Sequence, residues 1–231
     1  MNKILVTGGD GRFADELKKT KTKFQFVYLN KEKLDICNFN SILNAIKKYK
    51  PKTILHLAGL SRPMDIHKKD ITKSISLNII GTANLVNACA KYKIKIIYFS
   101  TGYIYPGTKG NYKENDSLLP WNNYGWSKLG GECSVQMYKN SLILRACMTQ
   151  KPFIHNAAYS NVKSNFIYHD DLAKIFLKIL TKKGIYNIGG KTQTIYSFAN
   201  KFKQNVKKKF SKGEFPLNQN MNLNKLNKLI K

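Results

Sequence analysis

Short apolar runs recur along the first 145 residues, and each is followed by a segment whose apolar positions fall three or four apart. Lys3–Thr7, with Ile4, Leu5 and Val6 in succession, reads as a buried strand, and a glycine turn then leads into a helix through Lys19. Residues 24–29 read as a second strand. Residues 41–49 place Ile42, Ala45, Ile46 and Tyr49 on one helical face before Pro51 stops the helix, and residues 53–58 form a third strand. A long helix from about Asp70 carries Ile71, Ile75, Ile79, Ala83, Val86 and Ala90 at helical spacing and feeds a fourth strand at 94–99. Residues 100–120 read as loop, a helix runs from Asn122 to about Tyr138, and a fifth strand spans 141–145. Alternation of this kind specifies an α/β protein with a parallel sheet covered by helices on both faces.

After Arg145 the pattern loosens into a polar loop to Ser164, a short strand at 166–168, a helix over 170–180 and a small strand at 185–187. A lysine-rich helix at 196–206 and an amphipathic stretch at 223–230 follow. No internal repeat or clean linker is visible. The division expected is 1–148 for the sheet domain and 149–231 for a small, shortened C-terminal substrate lobe with a lysine-rich tail, interleaved with the first part rather than independent.

With 231 residues, 42% of them hydrophobic, the chain can bury one substantial core. No apolar stretch approaches the roughly 20 residues of a bilayer span, and Met1 to Gly9 holds only a short apolar run, so no membrane association and a cytoplasmic location are expected. The four cysteines form no C-x-x-C pair and the four histidines no H-E-x-x-H spacing, so buried reduced thiols and no metal site are expected. The net charge of +27 raises nucleic acid as a partner. Only Arg12, Arg62 and Arg145 are arginines, however, and lysine and asparagine are enriched together as in AT-rich coding sequence, which favours a solvated basic surface and makes nucleic acid an unlikely partner. Residues 182–231 hold twelve lysines against the single acid Glu214, the place best suited to an electrostatic partner.

Three segments carry chemistry. Thr7-Gly8-Gly9-Asp10-Gly11-Arg12-Phe13-Ala14 lies between the first strand and the first helix, where a glycine turn offers backbone N–H groups and a helix N-terminus to a pyrophosphate. Gly8, Gly11, Arg12 and Phe13 are the candidate contacts. At the end of the second strand, where an acid would hold the ribose diol of NAD, stand Asn30 and Lys31; with Lys33 they can accept the 2′-phosphate of NADP, or be plain surface charge. Tyr124 and Lys128 lie one helical turn apart, and the ammonium is expected to lower the phenol's pKa for proton transfer to a carbonyl. Tyr159 and Lys163 repeat this spacing by chance. Tyr124, unlike Tyr159, follows Ser100-Thr101, whose hydroxyls are expected to emerge at the carboxyl end of the sheet.

T-G-G-x-G-x-x-A, His56-Leu57-Ala58-Gly59, Asn78-Ile79-Ile80-Gly81-Thr82, Ser100-Thr101 and Y-x-x-x-K stand in the order and spacing of extended short-chain dehydrogenases/reductases. Residues 100–107 most resemble the dTDP-4-dehydrorhamnose reductase family, and 166–173 resemble its late F-I-x-V-D-D-x-A segment. The resemblance covers about residues 3–190 and implies a Rossmann-like doubly wound sheet, a catalytic trio of Thr101, Tyr124 and Lys128, and NADP or NAD as cofactor. It also implies that Asp35 and Ile36 flank the adenine, that Ala58 and Gly59 line the dinucleotide, and that Tyr124 and Lys128 touch it. Gly102 departs from the family's aspartate, Ala-Cys-Met-Thr replaces an aromatic and glycine loop after Arg145, and the lobe is short. Asp170 and Asp171 read as a helix N-cap and a first-turn acid.

The function implied is reduction of a keto-deoxysugar nucleotide. Epimerisation at C4 of a nucleotide-sugar is the enzymatic alternative, and a non-catalytic dinucleotide-binding regulatory subunit, like that of methionine adenosyltransferase, is the alternative of another class. A homodimer is expected through the long helix and the Tyr124 helix, with Gly130 and Gly131 permitting close approach.

Overall fold

A computed structural model describes residues 3–230. The first part runs β1 (Lys3–Thr7), α1 (Arg12–Lys19), β2 (Gln25–Leu29), α2 (Phe39–Tyr49), β3 (Thr53–His56), α3 (Ile66–Lys69), α4 (Ile71–Ile75), α5 (Gly81–Lys91), β4 (Lys95–Thr101), α6 (Asn123–Gln136) and β5 (Ser141–Ala146). Then come β6 (Met148–Thr149), β7 (Ala157–Tyr159), β8 (Lys163–Ser164), β9 (Ile167–Tyr168), α7 (His169–Ile179), β10 (Gly184–Ile188), β11 (Gln193–Thr194), α8 (Ile195–Ala199), β12 (Lys207–Lys209) and α9 (Asn224–Ile230). Six strands form one sheet in the order β10-β5-β4-β3-β1-β2, and every pairing in it is parallel. The chain leaves β1 for one edge through β2 and returns for the other through β3, so the carboxyl ends of β1 and β3 bound a crevice at the switch point, where α/β proteins bind ligands.

Because strand side chains alternate, one contiguous apolar run serves two cores. Ile4, Val6, Ile97, Phe99, Leu142 and Leu144 face α1, α7 and α9, meeting Phe13, Leu17, Leu172, Phe176 and Leu226. Their neighbours Leu5, Ile96, Tyr98 and Ile143 face α2, α5 and α6, meeting Ile42, Ile46, Leu85, Cys89 and Val135. The strand expected at 185–187 is a full member of this sheet, β10 beside β5, and α9 packs against it.

Elsewhere the structure refines the sequence reading. The long helix is broken into α4 and α5 by a π-helical turn at Ser76–Ile80. Gly130 and Gly131 of α6 are used within the chain, where a Cβ on Gly130 would lie 2.7 Å from Ile79 and one on Gly131 would meet the Asn78 carbonyl. The supposed loop before Ser164 contains β6, β7 and β8, each too short to show a period. The expected helix at 196–206 ends at Ala199, and Lys207–Lys209 turns back as a strand beside Ala157–Tyr159. The α7 N-cap position is Tyr168, leaving Asp170 and Asp171 both in the first turn, where acids suit the helix dipole.

Candidate functional site

The crevice opens into a cavity of about 720 Å³. One end is the glycine turn. Gly8 has φ +65° and its Cβ would lie 2.7 Å from the Ala58 nitrogen, so only glycine lets β1 and the chain after β3 approach so closely. Gly11 occupies the N-cap of α1 with no side-chain cap, leaving the first-turn N–H groups free of a capping side chain beside the cavity. The arrangement suits an anion.

Thr101 ends β4 and Tyr124 sits in the first turn of α6, whose N-cap Asn122 accepts a hydrogen bond from Gly125 N at 2.7 Å. Lys128 follows one turn later, and all three line the cavity. Burial pushes the Tyr124 phenol up to about 12, against the Thr101 hydroxyl and the positive charges of Arg62 and Arg12. Burial also pulls Lys128 down to about 7, against the attraction of Glu132. The expectation that Lys128 acidifies Tyr124 is therefore corrected: the Lys128 ammonium lies 4.0 Å from the centre of the Tyr98 ring, and burial governs the phenol. Tyr124 is held as a neutral acid, the form that donates a proton.

A buried hydrogen-bond relay fixes α6 to the strands. Thr7 Oγ1 accepts from Leu57 N and Ala58 N and donates to His56 Nδ1 at 2.9 Å. His56 Nε2–H donates to Thr82 Oγ1 at 3.0 Å, and Thr82 donates to the Asn78 carbonyl. This direction follows from the donors available, with burial holding His56 neutral. Asn78 Nδ2 then donates to Leu60 O and to Ser127 Oγ, which donates to Tyr124 O. Within the relay the only titratable group stays uncharged near neutral pH.

Of the residues picked from the sequence, Gly11, Arg12, Phe13, Ala58, Gly59, Thr101, Tyr124 and Lys128 line the cavity. Gly8 lies behind it. Asn30, Lys31, Asp35 and Ile36 do not line it: Asn30 caps its own loop by accepting from Lys33 N, Lys31 and Lys33 are exposed, Asp35 accepts from Cys37 N, and Ile36 is buried against Gly81. Tyr159 and Lys163, on β7 and β8, share no helix face, yet Tyr159 lines the cavity. Sequence reasoning missed Arg62, Thr149, His155, Lys209 and Phe215, which reach the cavity from loops and short strands. For Arg62 a signal existed in the scarcity of arginine. Gly102 also gains a reason, since a Cβ there would stand 2.6 Å from Cys147 Sγ and 3.3 Å from Met221 Sδ. Cys147 and Met221 fill the room that the family's aspartate would need.

The fold and this cleft define a Rossmann-like α/β protein of the extended short-chain dehydrogenase/reductase type. Residues 1–163 match the family described as the RmlD substrate binding domain, and the chain belongs to that family. It is 30% identical over 154 residues to a dTDP-4-dehydrorhamnose reductase of Aggregatibacter actinomycetemcomitans, an alignment covering 64% of this chain and 52% of the relative. It is 32% identical over 104 residues to methionine adenosyltransferase 2 subunit beta of Pongo abelii, covering 45% of this chain and 31% of that one. The chain thus spans about half the length, or less, of these curated relatives. The crystal structure of dTDP-4-dehydrorhamnose reductase from Bacillus anthracis in complex with NADP superposes with a TM-score of 0.87 at 21% identity, over 98% of this chain and 91% of that one. Among the described residues no helix is long and apolar enough to cross a membrane.

Proposed function

We propose that this chain is an NAD(P)-dependent reductase of a keto-deoxysugar nucleotide, similar to dTDP-4-dehydrorhamnose reductase. The observation that carries the reading is that Thr101, Tyr124 and Lys128 line one cavity with the uncapped start of α1, and that no aspartate or glutamate lines it. The first-turn amides after Gly11, which no side chain caps, the Arg12 guanidinium and the small residues Ala58 and Gly59 fit a dinucleotide, which when bound supplies a hydride to the carbonyl carbon. Tyr124 donates its proton to the carbonyl oxygen, and solvent restores it. Thr101 donates a hydrogen bond to the same oxygen, and Lys128 holds the ribose hydroxyls. Asn30, Lys31 and Lys33 leave room for a 2′-phosphate, and the NADP bound by the Bacillus anthracis structure supports NADP as the cofactor.

Asp35 and Ile36 serve the adenine end in this reading, and residues 149–231 form the substrate lobe. The exposed apolar residues Ile71, Ile75, Ile80 and Trp126 on the α4–α5 and α6 surfaces support a homodimer. The match to methionine adenosyltransferase 2 subunit beta keeps a second reading, a regulatory subunit that binds dinucleotide without turnover. NADPH oxidation followed with 4-keto-6-deoxyhexose nucleotides separates the two: turnover is expected, and tight NADPH binding with none of these substrates reduced would favour the regulatory reading.

A further inference from the structure

Arginine is rare in this chain, three residues among forty basic ones, so each place where it stands is informative. Arg145 is buried and makes a fork to Glu132 that lysine has no geometry to make. The other two, Arg12 and Arg62, line the same cavity, and among the described residues neither is in an ion pair. Arg12 donates to Ser61 Oγ at 3.1 Å, beside the start of α1. Arg62 donates from Nη2 to Thr149 Oγ1 at 3.3 Å, whereas its Nη1 is buried with no partner. A buried guanidinium nitrogen left without an acceptor carries a desolvation cost that an anion in the cavity would relieve.

The surroundings narrow the anion. His155 and Lys209 line the cavity beside Arg62, and the charges of Arg62, Lys209 and Lys203 add to burial in keeping the His155 ring neutral. The nearby Glu214 lies outside the cavity lining, its carboxylate taken by Lys212 N at 2.7 Å and the Tyr159 hydroxyl at 3.3 Å. Tyr159 and Phe215 stack at 5.1 Å on the same wall, a flat face suited to a nucleobase. Arg62 also stands close enough to Tyr124 for each to feel the other's charge.

We propose that Arg62 is the diphosphate-binding residue on the substrate side of this cleft, gripping with its guanidinium fork the diphosphate of a nucleoside-diphosphate ligand. The proposal deepens the reductase reading and rests on it for the nucleoside. Lys209 supplies a second cation from the lysine-rich tail, which ties that tail to the site.

The test is calorimetric titration of inorganic diphosphate and of dTDP into protein saturated with NADP⁺, so that the glycine turn is already filled. Wild type, Arg62→Lys and Arg62→Met are compared at one ionic strength. Arg62→Met is expected to weaken both probes about tenfold or more, and Arg62→Lys to recover only part, because an ammonium makes no bidentate contact. NADP⁺ affinity, measured separately, is expected to stay within about twofold in both variants, which also certifies their fold. Unchanged binding of inorganic diphosphate to Arg62→Met overturns the proposal. So does a loss of NADP⁺ affinity with diphosphate binding intact, which assigns Arg62 to the dinucleotide. If dTDP binds no tighter than inorganic diphosphate while the Arg62 effect stands, Arg62 keeps its role and the nucleotide-sugar reading is what fails.

Discussion

The floor and the roof of the cleft are built on different principles. The floor is the carboxyl edge of a parallel sheet with α1 and α6 against it, its side chains buried in two cores and its polar groups joined by the relay from Thr7 to Tyr124. The roof is assembled from two- and three-residue strands, the short helix α8 and the returning strand β12, packed around a small cluster of Phe153, Val162, Tyr168 and Phe198. The floor holds the groups assigned to proton transfer, and the roof brings His155, Lys209, Tyr159 and Phe215. Chemistry that needs fixed geometry sits on regular elements, and recognition is given to segments that can vary in length.

If the floor is the more rigid unit, damage to it should cost most. Arg145 on β5 donates to Glu132 at 2.7 Å, to the Tyr105 hydroxyl at 2.7 Å and to the Glu114 carbonyl at 2.9 Å. Arg145→Met leaves the Glu132 carboxylate buried without its partner and is expected to cost about 3–5 kcal/mol in denaturant unfolding. A cost under about 1 kcal/mol would place the floor's stability elsewhere.

Acid should act on both regions at once, and its effect grows with every pH unit. Burial holds His56 of the floor down to about 3 and His169, where the roof meets α7, down to about 4, from an ordinary value of 6.5. Above that value both rings are neutral whether the chain is folded or not. As pH falls below it the unfolded chain takes up protons that the folded one refuses, so stability drains away until the folded values are reached. Each ring contributes up to about 1.4 kcal/mol per pH unit within its window. Melting temperature measured from pH 7 to pH 4 should fall, and His169→Gln should reduce the slope; an unchanged slope would remove His169 from the account.

The smallest expected effect lies where the regions touch. Gly102→Asp, which restores the aspartate usual in the family, meets Cys147 and Met221 and should cost about 1–3 kcal/mol as overpacking. Cys147→Ala in the same chain should return part of that loss, and additive costs would show that the two sites are independent.

The same contrast explains what the sequence made legible. Ile4–Val6 and Leu142–Leu144 are unbroken apolar runs within their strands, Gly8 follows β1, Thr101 ends β4, and Tyr124 and Lys128 lie on α6, all in a fixed order, so the floor could be read from pattern and motif. The roof could not. Met148–Thr149, Lys163–Ser164 and Gln193–Thr194 are two residues each, too short for a period of two to appear. Lys207–Lys209, just past the helix expected at 196–206, shows no strand pattern of its own and pairs with Ala157–Tyr159, about fifty residues away. Arg62 and Cys147 matter through neighbours distant in sequence, Thr149 for one and Gly102 for the other. The upward shift of the phenol is not legible in the sequence, because spacing on a helix locates Lys128 but not the direction of its ammonium, which lies over Tyr98.

The central claim is that Tyr124 on the floor is the acid of a carbonyl reduction and that Tyr159 on the roof, with the same spacing to a lysine, is not. Turnover of NADPH with a 4-keto-6-deoxyhexose nucleotide, measured in wild type, Tyr124→Phe and Tyr159→Phe alongside NADPH affinity, addresses it directly. Loss of the phenol at 124 is predicted to lower turnover by about 10²- to 10⁴-fold with NADPH affinity nearly unchanged, and Tyr159→Phe is predicted to retain turnover. Wild-type turnover in Tyr124→Phe, or its loss in Tyr159→Phe instead, would contradict the assignment.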